Sequence, residues 1–218
     1  MIWMQTSSGR AFDLLDPKVA DVDLVNDVGP ALARSGRYAG AVPGGTFSIA
    51  QHCVVGCDAL MQETGRADLA AWFLLHDAHE AYIGDITSPM AMALDALVSR
   101  SLEHITGAKN SDRKVLGRSQ FRQALGYLKL RCDLAIHAAA GINRPSDADS
   151  EIIHAMDLRM LKVERDQLCA RPPRPWHPSI ESAKPVPMRG RLSIWGWPRA
   201  TDEWLLRLRT YCPNANGL

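Results

Sequence analysis

The stretch Trp72-Phe73-Leu74-Leu75-His76-Asp77-Ala78-His79-Glu80-Ala81-Tyr82-Ile83-Gly84-Asp85 decides how this chain is read. Four apolar residues lead into an adjacent His and Asp, so two metal-ligating side chains stand at the edge of a buried segment. The pattern predicts one helix, opened by Asp68, running to about Ile83 and stopped by Gly84. On such a helix Glu80 follows His76 at i+4 and shares its face. Burying ionisable groups costs free energy unless they are paired or bound to a metal. The cluster therefore predicts a site.

The flanking sequence is mostly helical. Upstream, Ser48 is a good N-cap for a helix carrying Ile49, His52, Cys53 and Leu60, closed by Thr64-Gly65. Asp23 is positioned to cap a short helix with Leu24, Val28 and Leu32, which Pro30 is expected to weaken. Residues 1–16 read as a hairpin turning through Ser7-Ser8-Gly9. Downstream, Ser88-Pro89 marks a break before a helix over residues 90–105. Residues 107–118 form a polar loop in which Arg113, Lys114 and Arg118 are solvated. Helices follow over residues 121–140, ending at Gly141, and from a turn at 143–150 to about Cys169. The proline-rich segment 171–187 is expected to be irregular and residues 191–197 to be a strand. There Trp195-Gly196-Trp197 reads as a packing strap, and Thr201 caps a last helix bearing Trp204, Leu205, Leu208 and Tyr211. The expectation is an all-α helical bundle in one domain over 1–218, with a short N-terminal hairpin, a helical core about 23–170 and an extension from 171 to 218.

Composition narrows the function classes. The 218 residues suffice for one substantial core, and 46% hydrophobic with 22% charged residues is a globular balance. A net charge of +1 and a pI near 7.7 give no global field to attract nucleic acid or an anionic membrane. Cys53, Cys57, Cys132, Cys169 and Cys212 are scattered and lack zinc-knuckle spacing, so they read as reduced, mostly buried thiols. No apolar run approaches roughly 18 residues. Met1-Ile2-Trp3-Met4-Gln5-Thr6 lacks the features of a signal peptide, and a cytoplasmic protein is expected.

A divalent metal needs ligands converging from several elements. His52, His76 and Asp77 supply three, and a fourth carboxylate is expected on a later helix. Asp157 fits, with Ile153 and Leu161 at i−4 and i+4; Asp133 is the rival, at i+3 from Leu130 and i−3 from Ile136. Two imidazoles and two carboxylates suit Mn, Co, Fe, Ni or Zn better than Mg. Such a cation neutralises phosphoryl oxygens and acidifies water, which Glu80 can orient or deprotonate, while Arg37 can fork onto a phosphate. Thr87 and Ser88 suit either phosphate contact or turn capping, and His79 suits the pocket's edge, the surface or a supporting position behind the ligands. His104, His137, His154 and His177 read as structural or exposed.

Arg37-Tyr38, Ser48-Ile49-Ala50-Gln51-His52, His76-Asp77-Ala78-His79-Glu80, Gly84-Asp85-Ile86-Thr87-Ser88-Pro89 and Ala155-Met156-Asp157-Leu158-Arg159 carry a resemblance. The pattern His52…His76-Asp77…Asp157 is similar to the H…HD…D signature of HD-domain metal-dependent phosphohydrolases. It looks closer to the bacterial 5′-deoxynucleotidases and their phage-type relatives, some of which act on deoxynucleoside triphosphates. The resemblance implies an HD-type fold, one divalent transition metal on His52, His76, Asp77 and Asp157, and Asp157 rather than Asp133 as the fourth ligand. It also implies Glu80 as the residue handling the attacking water and Asp85 as a second acid near the nucleotide's sugar and phosphate. Arg37 and Tyr38 would line the substrate pocket, and the expected assembly is a homodimer. Two departures bear on substrate choice: Tyr38 stands where the family has Trp, and Met90 where a lysine often follows the proline. The rival readings are a nucleotide-binding regulatory module without turnover and a helical protein with a merely structural polar network.

Overall fold

The protein is all-α apart from one N-terminal hairpin. The computed structural model describes residues 1–106, 120–188 and 190–218; the expected polar loop 107–118, with Arg113, Lys114 and Arg118, lies outside the described residues. Strands β1 (Trp3–Gln5) and β2 (Ala11–Asp13) pair antiparallel with Met4 opposite Phe12. Phe12 is fully buried and its ring stacks on Tyr82 at 3.6 Å between centroids, which pins the hairpin to the helices. Asp23 accepts from the backbone of Val25 and Asn26 and caps a wide turn over Leu24–Val28. That turn runs into α1 (Gly29–Arg34). Pro30 lies in the first turn of α1, where a missing N–H costs nothing, so it starts a helix rather than weakening one.

Helix α2 (Ile49–Thr64) begins as its sequence dictates: Ser48 Oγ accepts from Gln51 N at 3.1 Å, and Gly65 ends it with φ +65°. Next come α3 (Ala67–Leu75) and α4 (Glu80–Ile83). The four-residue step between them replaces the single helix expected from Asp68 to Ile83, and Asp68 sits one residue inside α3 rather than capping it. Ala78 N, Glu80 N, Ala81 N and Tyr82 N bond the carbonyls three residues back, at 2.9–3.1 Å. Such bonding turns about once every three residues, so i and i+3 eclipse. Glu80 therefore rises above Asp77 instead of following His76.

Beyond lie α5 (Ser88–Thr106), α6 (Gln120–Ala139) and α7 (Asp147–Leu168), the last capped by Ser146 Oγ accepting from Asp149 N. A short α8 (Pro178–Glu181) breaks the proline-rich segment, and α9 (Trp197–Tyr211) closes the chain. Two local expectations fail at this end. Residues 191–197 form no strand, because side chains satisfy their backbone: Gln51 bonds Ser193 O and Trp195 N, and Gln167 accepts from Leu192 N. The N-cap of α9 is Gly196, with Thr201 a turn inside, its hydroxyl on Trp197 O. Trp195 packs against the core, whereas Trp197 is exposed beneath the guanidinium of Arg34.

The core is continuous from the hairpin to the last helix. Leu24, Val28, Leu32, Ile49, Cys53, Leu74, Ile136, Met160, Trp204 and Leu208 belong to one buried cluster, and the Trp204 indole donates to Leu74 O. Four of the five cysteines are buried and all five are free thiols, as expected. Among the described residues no helix is long and apolar enough to cross a membrane.

Gly56 sets how closely α2 and α3 approach. A Cβ there would stand 2.1 Å from the Phe73 ring, and Phe73 in turn packs on both His52 and His76. Gly56→Ala is expected to cost about 1–3 kcal/mol through overpacking, read as a lower urea midpoint with unchanged m-value.

Candidate metal centre

Four side chains from three parts of the fold meet beside α3. His52 comes from α2, His76 and Asp77 from the step after α3, and Asp157 from α7. His52 Nε2 lies 3.4 Å from His76 Nε2 and 3.3 Å from Asp157 Oδ1. Asp77 Oδ2 is 3.2 Å from His76 Nε2 and 3.9 Å from His52 Nε2, and Asp157 Oδ1 is 3.9 Å from His76 Nε2. Ligands held about 2.0–2.2 Å from one ion at tetrahedral angles stand about 3.3–3.6 Å apart. His52, His76 and Asp157 form a group able to hold a metal ion, and Asp77 Oδ2 stands beside it within 3.9 Å of both imidazole nitrogens.

The tautomers point the same way. His52 Nδ1 faces the Glu164 carboxylate at 2.5 Å, and His76 Nδ1 faces the Phe73 carbonyl at 2.7 Å. Both partners can only accept, so both Nδ1 atoms donate. In the neutral rings the Nε2 lone pairs then face each other, and neither can bond the other. Asp157 Oδ1 is likewise shielded from solvent and, among the described residues, accepts no hydrogen bond of good geometry. A cation held among these atoms would satisfy all of these acceptors at once.

The protein's own charges are strongly coupled here. Burial works to lower the His76 pKa, but the Asp77 carboxylate raises it well above its ordinary value. Burial and Arg37 oppose protonation of His52, while Glu164 and Asp157 raise it. Burial would raise Asp77, yet His76 and Arg37 hold it well below the usual carboxylate range. A cation must displace any proton from the two Nε2 atoms, so uptake releases protons and weakens as pH falls. The apparent Mn²⁺ affinity is expected to drop by at least about tenfold from pH 8 to pH 6, as measured by competition with a chelator whose own protonation is corrected for.

Glu164, fully buried on α7, is the member of the site that the sequence did not announce. It holds His52, accepts the Tyr38 hydroxyl at 2.5 Å, and lies 3.4 Å from Arg37 Nε. Its only sequence signal is its position at i+7 from Asp157, two turns along the same face. Burial pushes its carboxyl up, but His52 and Arg37 hold it below the ordinary 4.5. Its depressed value means that it stabilises the fold above about pH 4.5, and that this contribution disappears as acid protonates it. Glu164→Gln is expected to weaken cation binding by about 10–100-fold by loosening His52, measurable by calorimetric titration with Mn²⁺.

The other expected site residues are distributed as follows. The Arg37 guanidinium donates to Asp77 Oδ2 at 3.0 Å and approaches Asp157 Oδ1 at 3.8 Å, so it sits among the acids. Tyr38 and Ala39 take left-handed backbone conformations, φ +59° and +50°. Such conformations cost energy for residues with side chains, and this turn holds Arg37 and Tyr38 in place. The Tyr38 ring is tilted against Trp176 at 6.0 Å. Glu80 is buried and its Oε2 has no partner among the described residues; burial, then the charges of Asp77 and Asp85, push its carboxyl up to about 8. Thr87 Oγ1 accepts from Met90 N at the start of α5, which is turn capping. His79 is not on the surface: it is buried, with Nδ1 2.9 Å from Asp133 Oδ1 and a ring nitrogen within 4.8 Å of carboxylate oxygens of Asp77 and Glu80. Asp133 thus belongs to His79 and not to the four-donor group. His104, His154 and His177 are exposed and His137 is buried away from that group.

No protein-family model matches the chain. It is 34% identical over 96 residues to an uncharacterized protein of Rhodobacter capsulatus, a match covering 42% of this chain and 48% of the relative. It is also 34% identical over 94 residues to the uncharacterized protein YfdR of Escherichia coli K12, covering 43% and 49%. The chain spans about half the length of the curated relatives it matches.

Proposed function

We propose that this chain is a metal-dependent phosphohydrolase of the HD-domain type acting on deoxynucleotides. It would release phosphate from a deoxynucleoside monophosphate or triphosphate from a dNTP. The observation that carries the reading is the meeting of His52 Nε2, His76 Nε2 and Asp157 Oδ1 as a group able to hold a metal, with Asp77 Oδ2 within 3.9 Å of both imidazole nitrogens. The resemblance of residues 37–159 to the deoxynucleotidases supplies the substrate class.

A mixed nitrogen and oxygen donor set favours Mn, Co, Fe, Ni or Zn over Mg. When bound, such an ion neutralises phosphoryl oxygens and makes a water more acidic. The chain's own residues do the rest. Glu164 and the Phe73 carbonyl fix the two imidazoles so that Nε2 of each faces inward. Glu80, buried beside Asp77, takes the proton of the attacking water. Arg37 places a permanent positive charge against the acids and next to the incoming phosphate. Asp85 stands on the sugar side, where the resemblance puts it, and Tyr38 lines the pocket. The homodimer that the resemblance implies and a cytoplasmic setting belong to this same reading.

The test is a panel of dNMPs and dNTPs incubated with protein reloaded with Mn²⁺, Co²⁺ or Mg²⁺, with phosphate and triphosphate release measured. Release with Mn²⁺ or Co²⁺ and little with Mg²⁺ is the expected result. Protein that binds Mn²⁺ yet hydrolyses none of these nucleotides contradicts the reading.

A further inference from the structure

Asp77 faces a second group of donors. One ring nitrogen of His79, one carboxylate oxygen of Glu80 and one of Asp77 lie within 4.8 Å of one another, apart from the group formed by His52, His76 and Asp157. Two of these side chains carry unanswered polar atoms in the interior. His79 is 4% exposed and its Nε2 has no hydrogen-bond partner among the described residues; Glu80 is 6% exposed and its Oε2 has none there either. A buried polar atom without a partner costs about 1–3 kcal/mol, so two beside one carboxylate call for an explanation.

The surroundings of His79 supply it. Its Nδ1 lies 2.9 Å from Asp133 Oδ1 on α6. A carboxylate on Nδ1 fixes the proton there and leaves Nε2 a bare lone pair, as Glu164 does for His52. The two histidines thus share one construction, each an imidazole backed by an acid from a long helix. The tight step that eclipses Asp77 and Glu80 is what brings the third donor into reach.

We propose that Asp77, His79 and Glu80 form a second divalent-cation site, with the Asp77 carboxylate shared between two ions through its two oxygens. Asp133 acts as the positioning residue for His79. The centre is then a two-metal site of one nitrogen and two carboxylate ligands beside the four-donor group. Paired ions of this kind lie about 3.5–4 Å apart. In this arrangement Glu80 ligates through one oxygen and retains the other for the attacking water. The site shares Asp77 with the four-donor centre, but the inference does not depend on the reaction proposed for it.

The experiment is equilibrium dialysis of the full chain, stripped by a chelator and reloaded with Mn²⁺ alone, combined with low-temperature electron paramagnetic resonance. The wild type is expected to bind two Mn²⁺ per chain and give the broadened spectrum of a spin-coupled pair. His79→Ala is expected to bind one and give the six-line spectrum of an isolated ion. Asp133→Asn keeps the side chain's volume and serves if His79→Ala does not fold; it is expected to weaken the second ion by at least about tenfold. One Mn²⁺ per wild-type chain, lost in His52→Ala, overturns the second site while leaving the four-donor centre standing. A second Mn²⁺ retained at full affinity in both His79→Ala and Asp133→Asn also overturns it. No bound Mn²⁺ at all overturns both centres.

Discussion

Asp157→Asn is expected to abolish cation binding at the four-donor centre and, on the proposed reading, to lower deoxynucleotide hydrolysis by at least about a thousandfold, roughly 4 kcal/mol of transition-state stabilisation. The substitution keeps the side chain's shape, and its Oδ1 makes no hydrogen bond to lose. The packing of Met156 and Met160, both buried on α7 around it, is untouched. What disappears is the negative charge facing the two Nε2 atoms, 3.3 Å from one and 3.9 Å from the other. An amide oxygen is a weaker ligand, and the site loses one of its two balancing charges. Metal content and thermal melting of the variant, with and without Mn²⁺, separate the two effects. The expected pattern is a folded protein whose melting temperature no longer rises with added Mn²⁺. A variant with wild-type metal content and activity removes Asp157 from the site.

Glu80→Gln is expected to lower kcat by about 10²–10⁴-fold with the four-donor centre still loaded. Glutamine keeps the volume of a buried side chain but can accept no proton. The pH dependence gives the sign. The Glu80 carboxyl is pushed up to about 8 by burial and by its acidic neighbours, and a bound cation nearby pulls that value down. The ionised form that accepts a proton therefore grows as pH rises, and the wild-type rate should climb to a plateau at or below pH 8. Below that plateau the slope belongs to Glu80 and should be missing in Glu80→Gln. An unchanged pH profile and rate in the variant removes the residue from the proton transfer.

Much of this centre could be read from the sequence because its chemistry fixes residue types. His52 behind the Ser48 cap, the His76-Asp77 pair and Asp157 on an apolar helix face all converge in the structure. Helix ends were legible for a related reason: Ser48 and Gly65 mark their boundaries by local hydrogen bonding and backbone freedom. What the sequence hid depends on tertiary partners. Glu164 looks like any solvated helix acid among Val163, Arg165 and Asp166, and only folding against α2 and the Arg37-Tyr38 turn reveals it. The step at 76–79 is equally silent, since either helical spacing accommodates the same residues. It moves Glu80 from the face of His76 to that of Asp77 and turns His79 inward to Asp133. At the C-terminal end, residues 191–197 carry strand-like composition but meet the side chains of Gln51 and Gln167 instead of another strand.

Anomalous diffraction from crystals of the protein grown with Mn²⁺ is the most direct measurement of the central arrangement. A peak is predicted between His52 Nε2, His76 Nε2, Asp77 Oδ2 and Asp157 Oδ1, about 2.0–2.2 Å from each. Crystals that bind Mn²⁺ elsewhere, with no anomalous peak among these four atoms, contradict the account.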